Sequence, residues 1–228
     1  MLTLFCEFCK KNVPVVCRSA VTSWGCINKE PSHEATPEEA AKFGVSEALK
    51  ALGFDLEDEN FSDTPARFVR YLQEYCKPFN PIEVLKIGFN HEHAEVAGYK
   101  GMVVQTNIPW RTICPHHLLP VTGRCHVGYI PTKRVVGLSK ITRLAQAVGT
   151  EKPRMQETCT DIIAELLSLH LEAKGVIVVI SAEHGCMYGR GVHTPDTPSV
   201  TSTVRGLFRD VPAAREEFFE LVRINHVT

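Results

Sequence analysis

Two short stretches gather the side chains best able to hold a metal ion and move protons. Cys114-Pro115-His116-His117 sets a thiol and an imidazole three residues apart at the end of a β segment, in a turn where both can face one ion. Glu183-His184-Gly185-Cys186 supplies a second histidine and cysteine just after an apolar strand. Each cluster has an ordinary alternative, since cysteines are commonly buried and adjacent histidines commonly make a polar loop. Their pairing favours a site. A Cys/His/Cys set leaves the fourth tetrahedral position to water, the arrangement of a catalytic rather than a structural zinc centre. His116 and His184 are then the histidines left uncoordinated. An imidazole beside such an ion suits proton transfer, because its ordinary pKa lies near neutrality.

Positive groups accompany these clusters. Ser139-Lys140 precedes Arg143 by one helical turn, and Arg190 lies in Tyr188-Gly189-Arg190-Gly191. Lys140 and Arg143 share a helix face near its N-terminus, where backbone N–H groups also favour phosphate. The two readings are an anion site and a solvated helix face.

The elements that must position these groups follow from periodicity. Thr36-Pro37-Glu38-Glu39 is a capping box with proline at the first helical position, and Ala41, Val45, Ala48, Leu49 and Leu52 recur on one face before Gly53. Ser62-Asp63-Thr64-Pro65 opens a second helix carrying Phe68, Leu72, Tyr75 and Cys76, closed by Pro78 and Pro81. From about Gly101 the period becomes two, in Met102 to Thr106 and then in Val121, Cys125, Val127 and Tyr129. Helical patterns return after Leu138 and from about Met155 to Leu171, where Met155, Cys159, Ile162, Ile163 and Leu166 form a stripe. Val176 to Ala182 reads as a buried strand. Val200, Ser202, Val204 and Phe208 read as a last strand, and Pro212 opens a final amphipathic helix. Strands in the middle with helices grouped before and between them predict an α+β fold, helices on one face of a mostly antiparallel sheet. Three regions result: a cysteine-containing arm at 1–35, a helical region at 36–100 and a catalytic core at 101–228.

Composition narrows the function classes. The chain has 228 residues, 25 Lys+Arg against 26 Asp+Glu and a formal net charge of −1, so no global field draws it to nucleic acid or an anionic membrane. No apolar run approaches the ~20 residues of a membrane span. The first ten residues lack the charged and apolar regions of a signal peptide, so the expected location is the cytoplasm, with the nine cysteines reduced. Cys6 and Cys9 have the spacing of a zinc-knuckle pair, whereas Cys17 and Cys26 stand too far apart to complete one. A second metal site and an arm with incidental thiols both remain open. His91-Glu92-His93 reads as a loop, and Cys76, Cys125 and Cys159 as core.

Taken in order, Cys114-Pro115-His116-His117-Leu118-Leu119-Pro120, Tyr129-Ile130-Pro131, Gly137-Leu138-Ser139-Lys140, Gln156-Glu157, Glu183-His184-Gly185-Cys186 and Arg190-Gly191 resemble GTP cyclohydrolase I. Asp63-Thr64-Pro65-Ala66-Arg67 and Thr201-Ser202 through Gly206-Leu207-Phe208 extend the likeness over roughly residues 36 to 223. The resemblance implies a tunnelling fold, with subunit sheets joined side by side into a toroid, typically a homodecamer with active sites at subunit boundaries. It implies zinc on Cys114, His117 and Cys186, a guanine ring anchored by Glu157 with Gln156 beside it, and a triphosphate held by Arg67, Lys140, Arg143 and Arg190. Iron(II) would use the same ligands. The implied reaction is hydrolytic opening of the GTP imidazole ring: metal-activated water attacks C8 while His116 protonates N7, and C8 leaves as formate with help from His184. Rearrangement of the ribose with Ser139, then ring closure, gives 7,8-dihydroneopterin triphosphate.

The residue types suit this chemistry. A purine carbon needs a stronger nucleophile than neutral water, and a carboxylate accepts two N–H donors at once. Pro115 stands where the family usually has glutamate, stiffening the turn and removing a carboxylate near the ligands. Two other readings are another tunnelling-fold enzyme acting on a pterin or deazapurine, and a zinc-binding assembly subunit without catalysis.

Overall fold

Alternating apolar residues build the centre of the chain into a sheet, and the helical stripes within residues 138–171 cover one face of it. The computed structural model describes residues 3–6, 11–14, 36–86, 99, 101–132 and 135–224. These fall into two units, Met1–Leu72 and Gln73–Thr228. Cys9, Cys17, Cys26 and His91-Glu92-His93 lie outside the described residues.

In the first unit, β1 (Thr3–Cys6) pairs antiparallel with β2 (Lys11–Pro14). Helix α1 (Pro37–Ala51) starts where the capping box predicts: the Glu39 N–H donates to Thr36 Oγ1 at 3.3 Å, and the Thr36 N–H donates to Glu39 Oε2 at 2.7 Å. Each satisfies a backbone donor that the first turn leaves without an intrahelical partner. Helix α2 (Thr64–Gln73) follows.

The second unit runs α3 (Pro81–Val84), β3 (Val103–Ile113), β4 (Pro120–Ile130), α4 (Leu138–Thr150), α5 (Gln156–Leu171), β5 (Gly175–His184), α6 (Gly185–Tyr188), β6 (Ser199–Gly206), α7 (Leu207–Asp210) and α8 (Pro212–Ile224). The sheet is four-stranded in the order β3-β4-β5-β6, antiparallel throughout. On one face Val127, Tyr129, Val178 and Ile180 pack with Ile141, Leu144 and Val148 of α4 and Ile163 and Leu167 of α5, all buried. Each such side chain contributes about 1.5–3 kcal/mol on leaving water. This is the predicted α+β arrangement.

Four details differ from the pattern reading. The opposite face is also covered at one end, where Ile177 and Val179 of β5 pack with Phe208 and Phe218, whose rings lie 6.2 Å apart edge to face. Phe208 belongs to α7 rather than to the last strand, because the chain leaves the sheet at Gly206, which has φ +54°. The buried stripe of α5 begins one residue later than expected: Met155 is the N-cap and exposed, while Gln156, Cys159, Thr160, Ile163 and Leu167 face inward. Cys76 is exposed rather than core, since α2 ends before it, whereas Cys125 and Cys159 are buried as expected.

Candidate active site

The register between β4 and β5 assembles the site. Ile113 pairs with Pro120 at the end of the β3–β4 hairpin, and Val121 pairs with His184 at the end of β5. The hairpin loop Cys114 to Leu119 and the start of α6 therefore emerge side by side from one end of the sheet. The loop is held by the Cys114 N–H donating to the Leu119 carbonyl at 2.9 Å and the Leu118 N–H donating to the Cys114 carbonyl at 2.8 Å, with Leu118 at φ 54°. Gly185 lets the second segment approach, because a Cβ there would sit 2.8 Å from the Pro120 carbonyl oxygen.

This brings the expected ligand trio together. Among the described residues, one Cys/His/acid cluster has ligand atoms all within 4.8 Å of one another, and it is Cys114, His117 and Cys186. The Cys114 Sγ lies 3.7 Å from His117 Nδ1. Donors at 2.0–2.3 Å from a shared tetrahedral ion stand roughly 3.5–3.8 Å apart, so the spacing fits an ion between them. Two thiols and one imidazole are also a donor set of the zinc type. His116 Nδ1 is 3.8 Å from the same sulfur, with its ring centroid 6.3 Å from that of His117. Burial, together with the hydrogen bond and charge of Cys114, pushes the Cys186 thiol up, while Arg190 pulls it down; Arg190 is thus an electrostatic neighbour of the cluster.

His184 precedes Cys186 by two residues and turns to the other side, toward α5. Its Nε2 is 2.8 Å from Gln156 Oε1. Burial holds its pKa below the ordinary histidine value, with the charge of Glu157 opposing. Glu157 itself is exposed in the first turn of α5. Gln156, expected beside it at a bound ring, is only 2% exposed and spends its amide inside the protein. Its Nε2 donates to the carbonyls of Ile180 and Ser199, each at 3.0 Å, and contacts Thr201 Oγ1 at 3.1 Å. Thr160 and Thr201 join this network and were missed in the sequence. The available signal was Thr160 four residues after Gln156, a polar pair on an apolar face.

The remaining candidates are placed by other elements. Ser139, Lys140 and Arg143 occupy the first two turns of α4, and no ion pair with a carboxylate engages Lys140 or Arg143 among the described residues. Arg67 lies in the first unit, 3.3 Å from Asp63. Of the expected site residues, the structure therefore gathers Cys114, His116, His117, Gln156, Glu157, His184, Cys186 and Arg190 about the sheet end.

The chain is similar to known proteins over most of its length. The chain is 40% identical over 193 residues to a GTP cyclohydrolase 1 of Dehalococcoides mccartyi, covering 83% of this chain and 98% of that protein. It is 43% identical over 178 residues to one from Pelotomaculum thermopropionicum, covering 77% and 91%, and 40% identical over 189 residues to one from Aquifex aeolicus, covering 83% and 98%. The family model for GTP cyclohydrolase I matches residues 41–223, a span that contains the antiparallel sheet, both halves of the Cys/His cluster and every candidate site residue named above. The tunnelling fold expected from the sequence follows with it: this chain belongs to the GTP cyclohydrolase I family.

Proposed function

We propose that the protein opens the imidazole ring of GTP by hydrolysis, releases formate and closes the product to 7,8-dihydroneopterin triphosphate. The observation that carries this reading is the convergence of Cys114, His117 and Cys186 within 4.8 Å in a chain of this family. These three residues would hold a zinc or iron(II) ion. Such an ion supplies a nucleophile from water at neutral pH by lowering its pKa from 15.7 toward about 7.

The chain's own side chains do the rest. The Glu157 carboxylate accepts two N–H donors from the guanine edge and fixes the ring plane. Lys140, Arg143 and Arg190 bind the triphosphate, whose three to four negative charges need about that many cations. His116 gives a proton to N7 as the ring opens, His184 moves the proton that accompanies loss of formate, and Ser139 assists rearrangement of the ribose. Among the described strands, β3 and β6 each leave one edge unpaired. Open edges of this length favour closure by further copies, which supports a homo-oligomer in the form of a toroid.

The test is to incubate the purified protein with GTP and follow formate and the dihydropterin triphosphate, with and without a chelator, beside Cys186→Ala. Formate release abolished by both treatments is expected. A metal-loaded protein that leaves GTP intact under every condition would overturn the proposal.

A further inference from the structure

The hydrogen-bond network behind His184 can be assigned atom by atom. Thr160 Oγ1 is 2.8 Å from the Gln156 backbone carbonyl, an acceptor only, so the Thr160 hydroxyl proton is committed there. Thr160 Oγ1 is also 2.6 Å from Thr201 Oγ1, which must then be the donor in that pair. With its proton spent there, Thr201 Oγ1 can face the Gln156 amide only as an acceptor. The Gln156 Nε2 faces the Ile180 carbonyl, the Ser199 carbonyl and Thr201 Oγ1, at 3.0, 3.0 and 3.1 Å. Two of these are carbonyl oxygens with nothing to donate. Flipping the amide would set an oxygen against both, so its orientation is fixed by chemistry rather than by fit. Gln156 Oε1 is therefore the atom pointed at His184 Nε2, 2.8 Å away, and only a protonated ring nitrogen can bond it. His184 Nδ1 has no hydrogen-bond partner among the described residues.

We propose that Gln156 is a positioning residue: it locks neutral His184 in the Nε2–H tautomer and leaves Nδ1 as the nitrogen that exchanges protons with substrate. This rests on the assignment of proton transfer to His184 above. Gln156 then has no amide hydrogen to spare for the guanine ring, which Glu157 holds. Thr160 and Thr201 form the outer support that keeps the amide in this orientation.

Two experiments test the proposal. In the first, steady-state formate release is measured for wild type, Gln156→Met, His184→Ala and the double variant. Wild-type turnover of GTP secures the parent reading independently. Gln156→Met should lower kcat roughly 10- to 100-fold, as loss of an orienting partner does, with KM for GTP within about a factor of three. It should stall at the same step as His184→Ala and cost less than about a factor of two further in that background. A raised KM with kcat retained, or losses that simply multiply, would show Gln156 meeting substrate itself and overturn the proposal. The second needs no Gln156 variant to fold. Solid-state ¹⁵N spectra of histidine-labelled, metal-loaded protein at pH 8, with His184→Ala as the difference reference, should show His184 with a hydrogen on Nε2 and a bare Nδ1. A bare Nε2, or hydrogens on both nitrogens, refutes the assignment.

Discussion

Alanine in place of glycine should act with opposite sign at two helical positions. In α1, a Cβ built on Gly44 meets nothing within 4 Å. Gly44→Ala then registers only the helix propensity difference, a gain of about 0.5–1 kcal/mol. In α4, a Cβ on Gly149 would lie 2.2 Å from the Arg111 carbonyl oxygen and 3.0 Å from Trp110 Nε1, both on β3. Carbon and oxygen make ordinary contact at about 3.3 Å or more. The helix must therefore retreat by about 1 Å from a strand whose backbone cannot swing aside, in a region packed as densely as a crystal. Overpacking of this kind costs about 1–3 kcal/mol, and contact with backbone puts Gly149→Ala at the upper end. Subtracting the propensity gain leaves a net loss of about 2 kcal/mol. For a chain of this size that is a fall of about 4–8 °C in Tm, against a rise of about 1–4 °C for Gly44→Ala. Thermal unfolding of both variants at one protein concentration and one metal loading makes the comparison. If Gly149→Ala stabilises the protein as Gly44→Ala does, the close approach of α4 to β3 is wrong.

Chelation or Cys186→Ala should abolish formate release while leaving the far-UV spectrum unchanged, because the core on either side of β5 does not depend on the ligands; loss of folded signal would contradict this. Metal uptake by the apo protein should release protons in weakly buffered solution and weaken as pH falls, since the Cys186 thiol is pushed up by burial and by Cys114 and must ionise to bind. The buried thiols give a separate pH dependence. Burial pushes Cys159 up to about 12, with Arg154 opposing, and raises Cys125 as well. The folded state therefore keeps protons that the unfolded chain loses above about pH 8.5, and stability should fall by about 1.4 kcal/mol per pH unit per thiol beyond that point. Urea midpoints at pH 7 to 10 should drop less steeply in the Cys125→Ala/Cys159→Ala protein, and equal slopes would count against the burial. Lys140→Ala and Arg143→Ala should each raise KM for GTP by roughly tenfold, the worth of one charged hydrogen bond, and change KM for guanosine little; equal effects on both ligands would remove them from the triphosphate.

The ligand trio was legible because residue type carries the chemistry. A Cys-Pro-His-His turn and a His-Gly-Cys segment each follow apolar strands, which sets both donor groups at strand ends. Their meeting was not legible from either cluster alone, since it depends on Val121 standing opposite His184. Gln156 shows the converse. Its neighbour Glu157 made a shared role at the ring reasonable, and taking Met155 as the start of the apolar stripe hid the helix phase that turns Gln156 inward with Cys159, Thr160 and Ile163. One residue of phase decides whether the Gln156 side chain faces outward or into the core. For Phe208 the alternation in the sequence runs on as a strand would, while the chain turns away at Gly206.

The position of the site at one end of the sheet has a physical rationale. Five residues of β5, Val176 to Ile180, are buried on alternating faces, by α4 and α5 on one side and by Phe208 and Phe218 on the other. A slip of one residue would exchange these faces, so burial on both sides pins the register strongly. That register fixes His184 opposite Val121, and through it the separation of Cys186 from Cys114. The same strand supplies the Ile180 carbonyl that orients Gln156, which orients His184. Cys186 and the proposed proton carrier His184 are thus both placed by one strand whose position the core determines. The loops need only be short enough to hold their ends, and Pro115 and Gly185 serve that: one stiffens the turn, the other admits close contact with Pro120. Positioning is done by the apolar half of the strand, and chemistry begins where that half ends.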